Sequence, residues 1–342
     1  MTNPTCISNA YAPGPNDWVS VAYELATKGE RCVLVFVTGN KGSTPREKGC
    51  WALISETLCL GTLGGGEVER TAIAEAHDLL AGRKQWQRTD ERFQLGPDLG
   101  QCCGGAMSAL LEPVDETGTD WLQRALDVGT DGYVLIPISE QNSAPRVMRG
   151  DIPDNLDNTS GLHIQSLADN RPLVVLYGGG HVGRAIAAMA TQMPIRLEVV
   201  DERPDALAGI GQCGNVSTIY RDNPPSHARE LSGADAVLIM THSHGLDYRL
   251  CRMLLGNADI RYLGLIGSET KAARFRSGLS KEGYAPEQID HLICPIGAAG
   301  PVGKEPGLIA IAALSEIMQV LSSAKTGEIT NETILNQLKR ER

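Results

Sequence analysis

The sequence predicts an α/β protein in which a doubly wound parallel sheet follows a smaller α+β domain, and three observations lead there. From Pro172 onward, short strands that are apolar throughout alternate with amphipathic helices, the pattern of a parallel sheet buried on both faces. Residues 17–137 mix helical and extended periods without that regular alternation. Between these stretches, residues 138–171 are polar and sustain little period, which reads as a linker with one short strand. A chain of 342 residues is long enough for two cores. The expected organisation is an α+β domain over 1–137, the linker, a Rossmann-like domain over 172–325 and a tail over 326–342.

The elements follow in order. In the first half, "DWVSVAYELATKG" (17–29) carries a helical stripe, "RCVLVFVTG" (31–39) is a strand, and "CWALIS" (50–55) and "LCLGTLGG" (58–65) are extended. A helix "EVERTAIAEAHDLLAG" (67–82) comes next, then strand "GAMSALLEPV" (105–114), helix "DWLQRALDVG" (120–129) and strand "GYVLIPI" (132–138). The second half reads strand "LVVLYG", helix "HVGRAIAAMATQ", strands "RLEVVD" and "VSTIY", helix "PPSHARELSG", strand "AVLIMTH" and helix "GLDYRLCRMLLG". It closes with strand "RYLGLIG", helix "SETKAARFRSGLSKEG", strand "LICPIG" and helix "EPGLIAIAALSEIMQVLSSA".

Composition narrows the function. The 42% hydrophobic and 21% charged fractions are ordinary for a folded domain. No run of about 18 apolar residues exists and the start "MTNPTCISNAYAPGPND" lacks the features of a signal peptide, so a cytoplasmic address and no membrane partner are expected. Nine cysteines without framework spacing are expected to be mostly free thiols. Acidic residues outnumber basic ones by 41 to 31 with no like-charge block, which excludes nucleic acid as the primary partner. An anionic small ligand stays open, because glycine-rich turns and helix N-termini hold one locally.

The strongest local motif is "VVLYGGGHVGRA", which sets Gly178, Gly180, His181 and Gly183 between a strand and a helix as G-x-G-x-x-G. Asp201 closes the next strand where an acid would meet a ribose hydroxyl. The turn is read as a phosphate seat, the alternative being glycines kept only for helix–strand packing. "MTHSHGLD" offers His242, His244 and Asp247 at the end of a later strand. It fits a metallohydrolase run poorly, because Tyr248 stands where a second metal-binding histidine belongs, and it reads better as the rim of a crevice.

Further candidates lie in loops. "TGNKGSTPREKG" holds Ser43, Thr44, Arg46 and Lys48 as donors, and "GTLGGGEVER" sets Gly64, Gly65 and Gly66 before a helix that begins with Glu67. Either is otherwise a plain turn. "LGQCCGG" places Cys102 and Cys103 before Gly104 and Gly105; a bridge between vicinal cysteines is strained, and exposed thiolates are soft ligands for a sulfur-rich centre, the alternative being buried thiols that act as small hydrophobes. "CPIGAAGPVGKEP" brings Lys304 and Glu305 to a helix start, with Lys304 placed to neutralise a phosphate or to be solvated.

Taken together, "GSTPREKG", "GTLGGGEVE", "LGQCCGG", "LYGGGHVGRA", "VVDERPD", "MTHSHGLD", "YLGLIGSETKAARF" and "CPIGAAGPVGKEP" make the chain resemble the xanthine dehydrogenase accessory family (XdhC/CoxI-like) over about residues 17–322. The resemblance implies an insertion chaperone, not an enzyme. It would bind the finished molybdenum cofactor, protect it, support its sulfuration by a cysteine desulfurase and deliver it to a molybdenum hydroxylase client such as xanthine dehydrogenase. The cargo would be either the molybdopterin form or its cytidine dinucleotide, with Cys102 and Cys103 at or near the molybdenum, and a homodimer remains open. The loop "AAGPVG" departs from the family pattern, which more often carries a second isoleucine-glycine pair there. A competing reading from the residues themselves is an NAD(P)-dependent dehydrogenase, which the Gly178–Gly183 fingerprint and Asp201 would serve.

Overall fold

The structure, a computed structural model, describes residues 13–42, 44, 46–94, 105–153, 156, 161–211, 214–298, 300–301 and 303–326. Two compact units meet in sequence between Asn170 and Arg171. The first runs α1 (Asp17–Thr27), β1 (Cys32–Lys41), β2 (Trp51–Ser55), β3 (Cys59–Gly61), α2 (Gly66–Leu80), β4 (Thr89–Gln94), β5 (Ala106–Val114), α3 (Thr119–Val128), β6 (Gly132–Pro137), β7 (Arg146–Arg149) and β8 (Leu162–Ser166).

An antiparallel sheet of order β3-β2-β1-β5-β4 forms its centre, and β7-β6-β8 forms a second sheet. Cys32 to Val37 of β1 are all buried because both faces of the strand are covered. Val33, Val35 and Val37 pack with Val68, Ala72, Ala76 and Leu79 of α2, whose spacing lays them along one helical face. Leu34 and Phe36 point the other way, into a cluster with Trp18 of α1 and Trp121 and Leu122 of α3. The segment 138–171, expected as a linker with one strand, carries both β7 and β8, which flank β6.

The second unit runs β9 (Leu173–Tyr177), α4 (His181–Ala190), β10 (Arg196–Asp201), α5 (Pro204–Ala208), β11 (Val216–Tyr220), α6 (Pro224–Glu230), β12 (Ala236–Ile239), α7 (His244–Leu254), β13 (Tyr262–Leu265), α8 (Glu269–Lys281), α9 (Pro286–Asp290), β14 (Leu292–Ile293) and α10 (Pro306–Thr326). Its six strands are parallel in the order β11-β10-β9-β12-β13-β14. Alternation along β9 splits the core, since Val174 and Leu176 join α4 and α10 on one face while Val175 and Tyr177 join α7 and α8 on the other. Helix α10 buries Ala310, Ala313, Leu314, Ile317, Val320 and Leu321, an i, i+3, i+4, i+7 stripe. At about 1.5–3 kcal/mol for each fully buried Leu, Ile or Val, these two faces supply most of what holds the sheet between its helices. This is the doubly wound Rossmann-like fold that the second half of the sequence predicts, and an N-terminal α+β unit precedes it in the chain.

Candidate functional site

Strand order reverses beside β9: β10 and β11 lie on one side of it, β12 to β14 on the other. The crevice of such a sheet opens at the C-terminal ends of the two strands that flank the reversal, here β9 and β12. The turn after β9 shows why its glycines differ. Gly178 has φ +123°, and a Cβ there would stand 2.3 Å from the Met240 carbonyl oxygen. A Cβ on Gly183 would stand 2.0 Å from the Gly178 carbonyl. Both positions are thus demanded by the packing of the chain on itself. Gly180 is not: its φ of −71° suits any residue, and a Cβ would meet nothing within 4 Å. It is the N-cap of α4 and supplies no side-chain acceptor to the first turn. The open side of Gly180 and the uncapped helix start therefore leave a clear approach and backbone donors at the reversal point, the features by which a helix N-terminus receives an anion. His181 is exposed beside it.

Asp201 ends β10 next to this turn, 4% exposed, and its carboxylate is fully engaged. Oδ2 accepts from the Gly179 N–H at 2.8 Å and from Arg203 Nη2 at 2.8 Å. Oδ1 accepts from the Arg203 N–H and Nε, each at 2.9 Å. Burial pushes the carboxyl pKa up, but the bonds from Arg203 and Gly179 outweigh it and the net shift is downward. The same pair raises the Arg203 pKa. The ribose-binding role that the sequence position suggests meets a carboxylate already bonded within the protein.

"MTHSHGLD" divides in the same way. His242 is exposed and lies 3.6 Å from Glu202, which brings the loop after β12 beside the loop after β10. His244 is exposed at the start of α7. Asp247 instead turns inward, fully buried, with Oδ1 accepting from Thr241 N at 3.0 Å and Thr241 Oγ1 at 2.7 Å. Its Oδ2 accepts from Lys271 Nζ at 2.7 Å, and Lys271 also donates to the Ile266 carbonyl at 2.8 Å. Asp247 is thus a brace under the crevice, apart from the two histidines, and its partner Lys271 is a residue that no motif singles out. Only the run "SETKAARF" as a whole carried it. Lys304 and Glu305 are exposed just ahead of α10, with the Lys304 N–H donating to Glu305 Oε2 at 3.0 Å.

In the first unit, Lys41 pairs with Ala106, Phe36 with Trp51 and Ala52 with Gly61. The loop after β1, the turn after β3 and Gly105 ahead of β5 therefore share one end of the sheet. Thr44 Oγ1 donates to the Arg46 carbonyl at 3.1 Å, and Arg46 and Lys48 are exposed. The loop returns at Gly49, whose carbonyl accepts from Gln165 Nε2 at 3.2 Å; Gln165 Oε1 lies 3.2 Å from His163 Nε2. Gly64, Gly65 and Gly66 have φ of 103°, 78° and 72°, a run open only to glycine. Their turn is filled from within: Glu69 Oε2 accepts from Leu63 N at 2.7 Å, Gly65 N at 3.2 Å and Thr62 Oγ1 at 2.5 Å. Glu67, the acid singled out in the sequence, is paired with Arg70. Ser43, Cys102, Cys103 and Gly104 lie outside the described residues.

Burial pushes the thiol pKa of Cys32 up to about 12 and also raises those of Cys50 and Cys251, so none of these is a ready thiolate. Cys59 is disulfide-bonded. Among the described residues no group of three or more His, Cys, Asp or Glu is placed to hold a metal ion, and no helix is long and apolar enough to cross a membrane.

A family model described as the XdhC Rossmann domain matches residues 174–317, and one described as the XdhC and CoxI family matches residues 25–90. The chain is 28% identical over 312 residues to the uncharacterized protein YqeB of Escherichia coli (strain K12), a match that takes in 85% of this chain and 44% of that protein. It therefore spans less than half of that relative's length. A crystal structure from Bacillus halodurans described as a xanthine dehydrogenase superposes with a TM-score of 0.66 at 22% identity, over 91% of this chain and 97% of the other. At that identity the likeness is one of fold.

Proposed function

Because this chain belongs to the XdhC and CoxI family, we propose that it is an accessory protein that carries the molybdenum cofactor to a xanthine dehydrogenase-type hydroxylase. It binds the cofactor as cargo, shields it from oxidation, supports its sulfuration by a cysteine desulfurase and releases it to the apo-hydroxylase, with no turnover of its own. The observation that carries this reading is the seat at Gly180. It offers backbone donors and an open approach to an anionic group, at the reversal point of the sheet where ligands of this fold bind. The cargo's phosphate supplies that group. Cys102 and Cys103 are assigned to its molybdenum, because a thiolate pair suits a metal already held by sulfur.

The test mixes the purified protein, without oxygen, with cofactor released from a molybdenum enzyme. The fluorescent pterin and molybdenum that stay with the protein on gel filtration are measured, followed by activation of an apo-hydroxylase. Retention and activation are expected. Replacing Cys102 and Cys103 together by alanine lowers retention, and an undiminished double variant removes the thiols from the account.

A further inference from the structure

We propose that Arg203 is the specificity-determining residue of the glycine turn: it closes Asp201 to ribose and commits the seat to a terminal phosphate. This rests on the cargo reading and narrows it to the molybdopterin form, which ends in a phosphate monoester, over the cytidine-extended form.

A carboxylate has about four acceptor positions. At Asp201 all are spent, on the Gly179 N–H and on the backbone N–H, Nε and Nη2 of Arg203. A ribose diol at the end of β10 needs two of them. To free these, the guanidinium would have to leave a two-pronged, charge-assisted contact with a carboxylate that is 4% exposed. Dinucleotide sites of this fold keep that acid open; this chain has turned it inward.

The same contact gives the turn a cation. Asp201 Oδ2 accepts from both Gly179 and Arg203, so the guanidinium stands one carboxylate oxygen from the backbone of the glycine turn. The Arg203 side chain is 40% exposed, and both Nη1 hydrogens lie outside the Asp201 pair. An arginine held rigid by one carboxylate loses little further freedom on meeting a phosphate, and its Nη1 side, left over from the Asp201 pair, still offers donors to phosphate oxygens. The helix start favours an anion and the closed Asp201 disfavours a ribose, and together they favour a phosphate that carries no ribose on the Asp201 side.

Calorimetry on the whole protein tests this with NADH, NADPH, cytidine diphosphate, inorganic phosphate and phenyl phosphate. The native protein is expected to bind phenyl phosphate saturably and to bind each ribose-containing probe no more tightly. Arg203→Ala is expected to weaken phenyl phosphate about tenfold, one charge-assisted contact, and to strengthen NADH by a similar factor as Asp201 is released. NADH or NADPH binding to the native protein about tenfold tighter than phenyl phosphate overturns the proposal, as does the absence of saturable phosphate binding. The native arm needs no variant. For Arg203→Ala, circular dichroism and the thermal midpoint report folding, and a folded variant with unchanged NADH affinity also overturns the proposal. Dinucleotide binding alongside retained pterin would sink the role of Arg203 and spare the cargo reading; phosphate binding without pterin retention would do the reverse.

Discussion

His163 is fully buried in β8, with its ring 5.4 Å from that of Phe36 and its Nδ1 without a hydrogen-bond partner. Its Nε2 meets Gln165, which in turn holds the Gly49 carbonyl at the base of the loop after β1. Burial drives its pKa down to about 4, the Gln165 bond opposing and the charge of Lys48 adding to the fall. The unfolded chain protonates this histidine near 6.5, so between 6.5 and about 4 the unfolded state binds the extra proton and stability rises with pH. The contribution is fully present above 6.5 and is lost on acidification, in total about 3 kcal/mol at ~1.36 kcal/mol per pK unit. In urea unfolding followed from about pH 7 to about pH 4, His163→Gln should lose stability less steeply than the native protein by roughly that amount. Parallel pH profiles would show that the ring is protonated in the folded state. None of this is written in "LHIQS", where a histidine between apolar residues looks like any inward strand position.

Strands and helices were legible where a period was clean, and went unread where charge covered it. The sequence "TDERFQ" of β4 has one large apolar side chain, Phe93, which is buried; the rest is polar because β4 is a sheet edge. Strand β7, "RVMR", is an edge of the second sheet and is mostly exposed for the same reason. What anchors this region is also charged. Arg88, 2% exposed, binds both oxygens of Glu112 on β5 and donates to the carbonyls of Pro137 and Glu140 at 2.7 Å and of Ser143 at 2.8 Å. All its donors are thereby used, and they tie the residue ahead of β4 to β5, the end of β6 and the loop from β6 to β7. Glu112→Ala leaves that guanidinium buried without its countercharge, which costs about 3–5 kcal/mol. Chemical denaturation should show the loss as a lowered midpoint. Asp78→Ala, which removes the half-buried partner of the exposed Arg83, should shift it by less than about 1 kcal/mol. Equal shifts would mean that the buried pair contributes no more than a surface one.

For the molecule as a whole, the alternation of apolar strands and helices was enough to predict a doubly wound sheet, and the motifs were enough to indicate the family. The chemistry of the seat needed three dimensions. Sequence spacing marks Gly178, Gly180 and Gly183 alike, yet two are filled by the chain's own backbone and one is open; it marks Asp201 as free for a ribose, yet a neighbour two residues away occupies it. A spacing rule cannot see these differences, because each depends on what a second strand or side chain brings alongside. A whole-molecule measurement follows from them. A cargo that binds only the folded protein stabilises it by RT ln(1 + [L]/Kd), about 2.7 kcal/mol at roughly a hundredfold excess over Kd. At about 2–4 °C per kcal/mol for units of this size, the thermal midpoint should rise by roughly 5–10 °C with released cofactor under anaerobic conditions. NADH at the same concentration should leave it in place, since Asp201 is closed to it. A rise with NADH and none with the cofactor would make the chain a nucleotide-binding protein, and the family's cargo would have to be sought elsewhere.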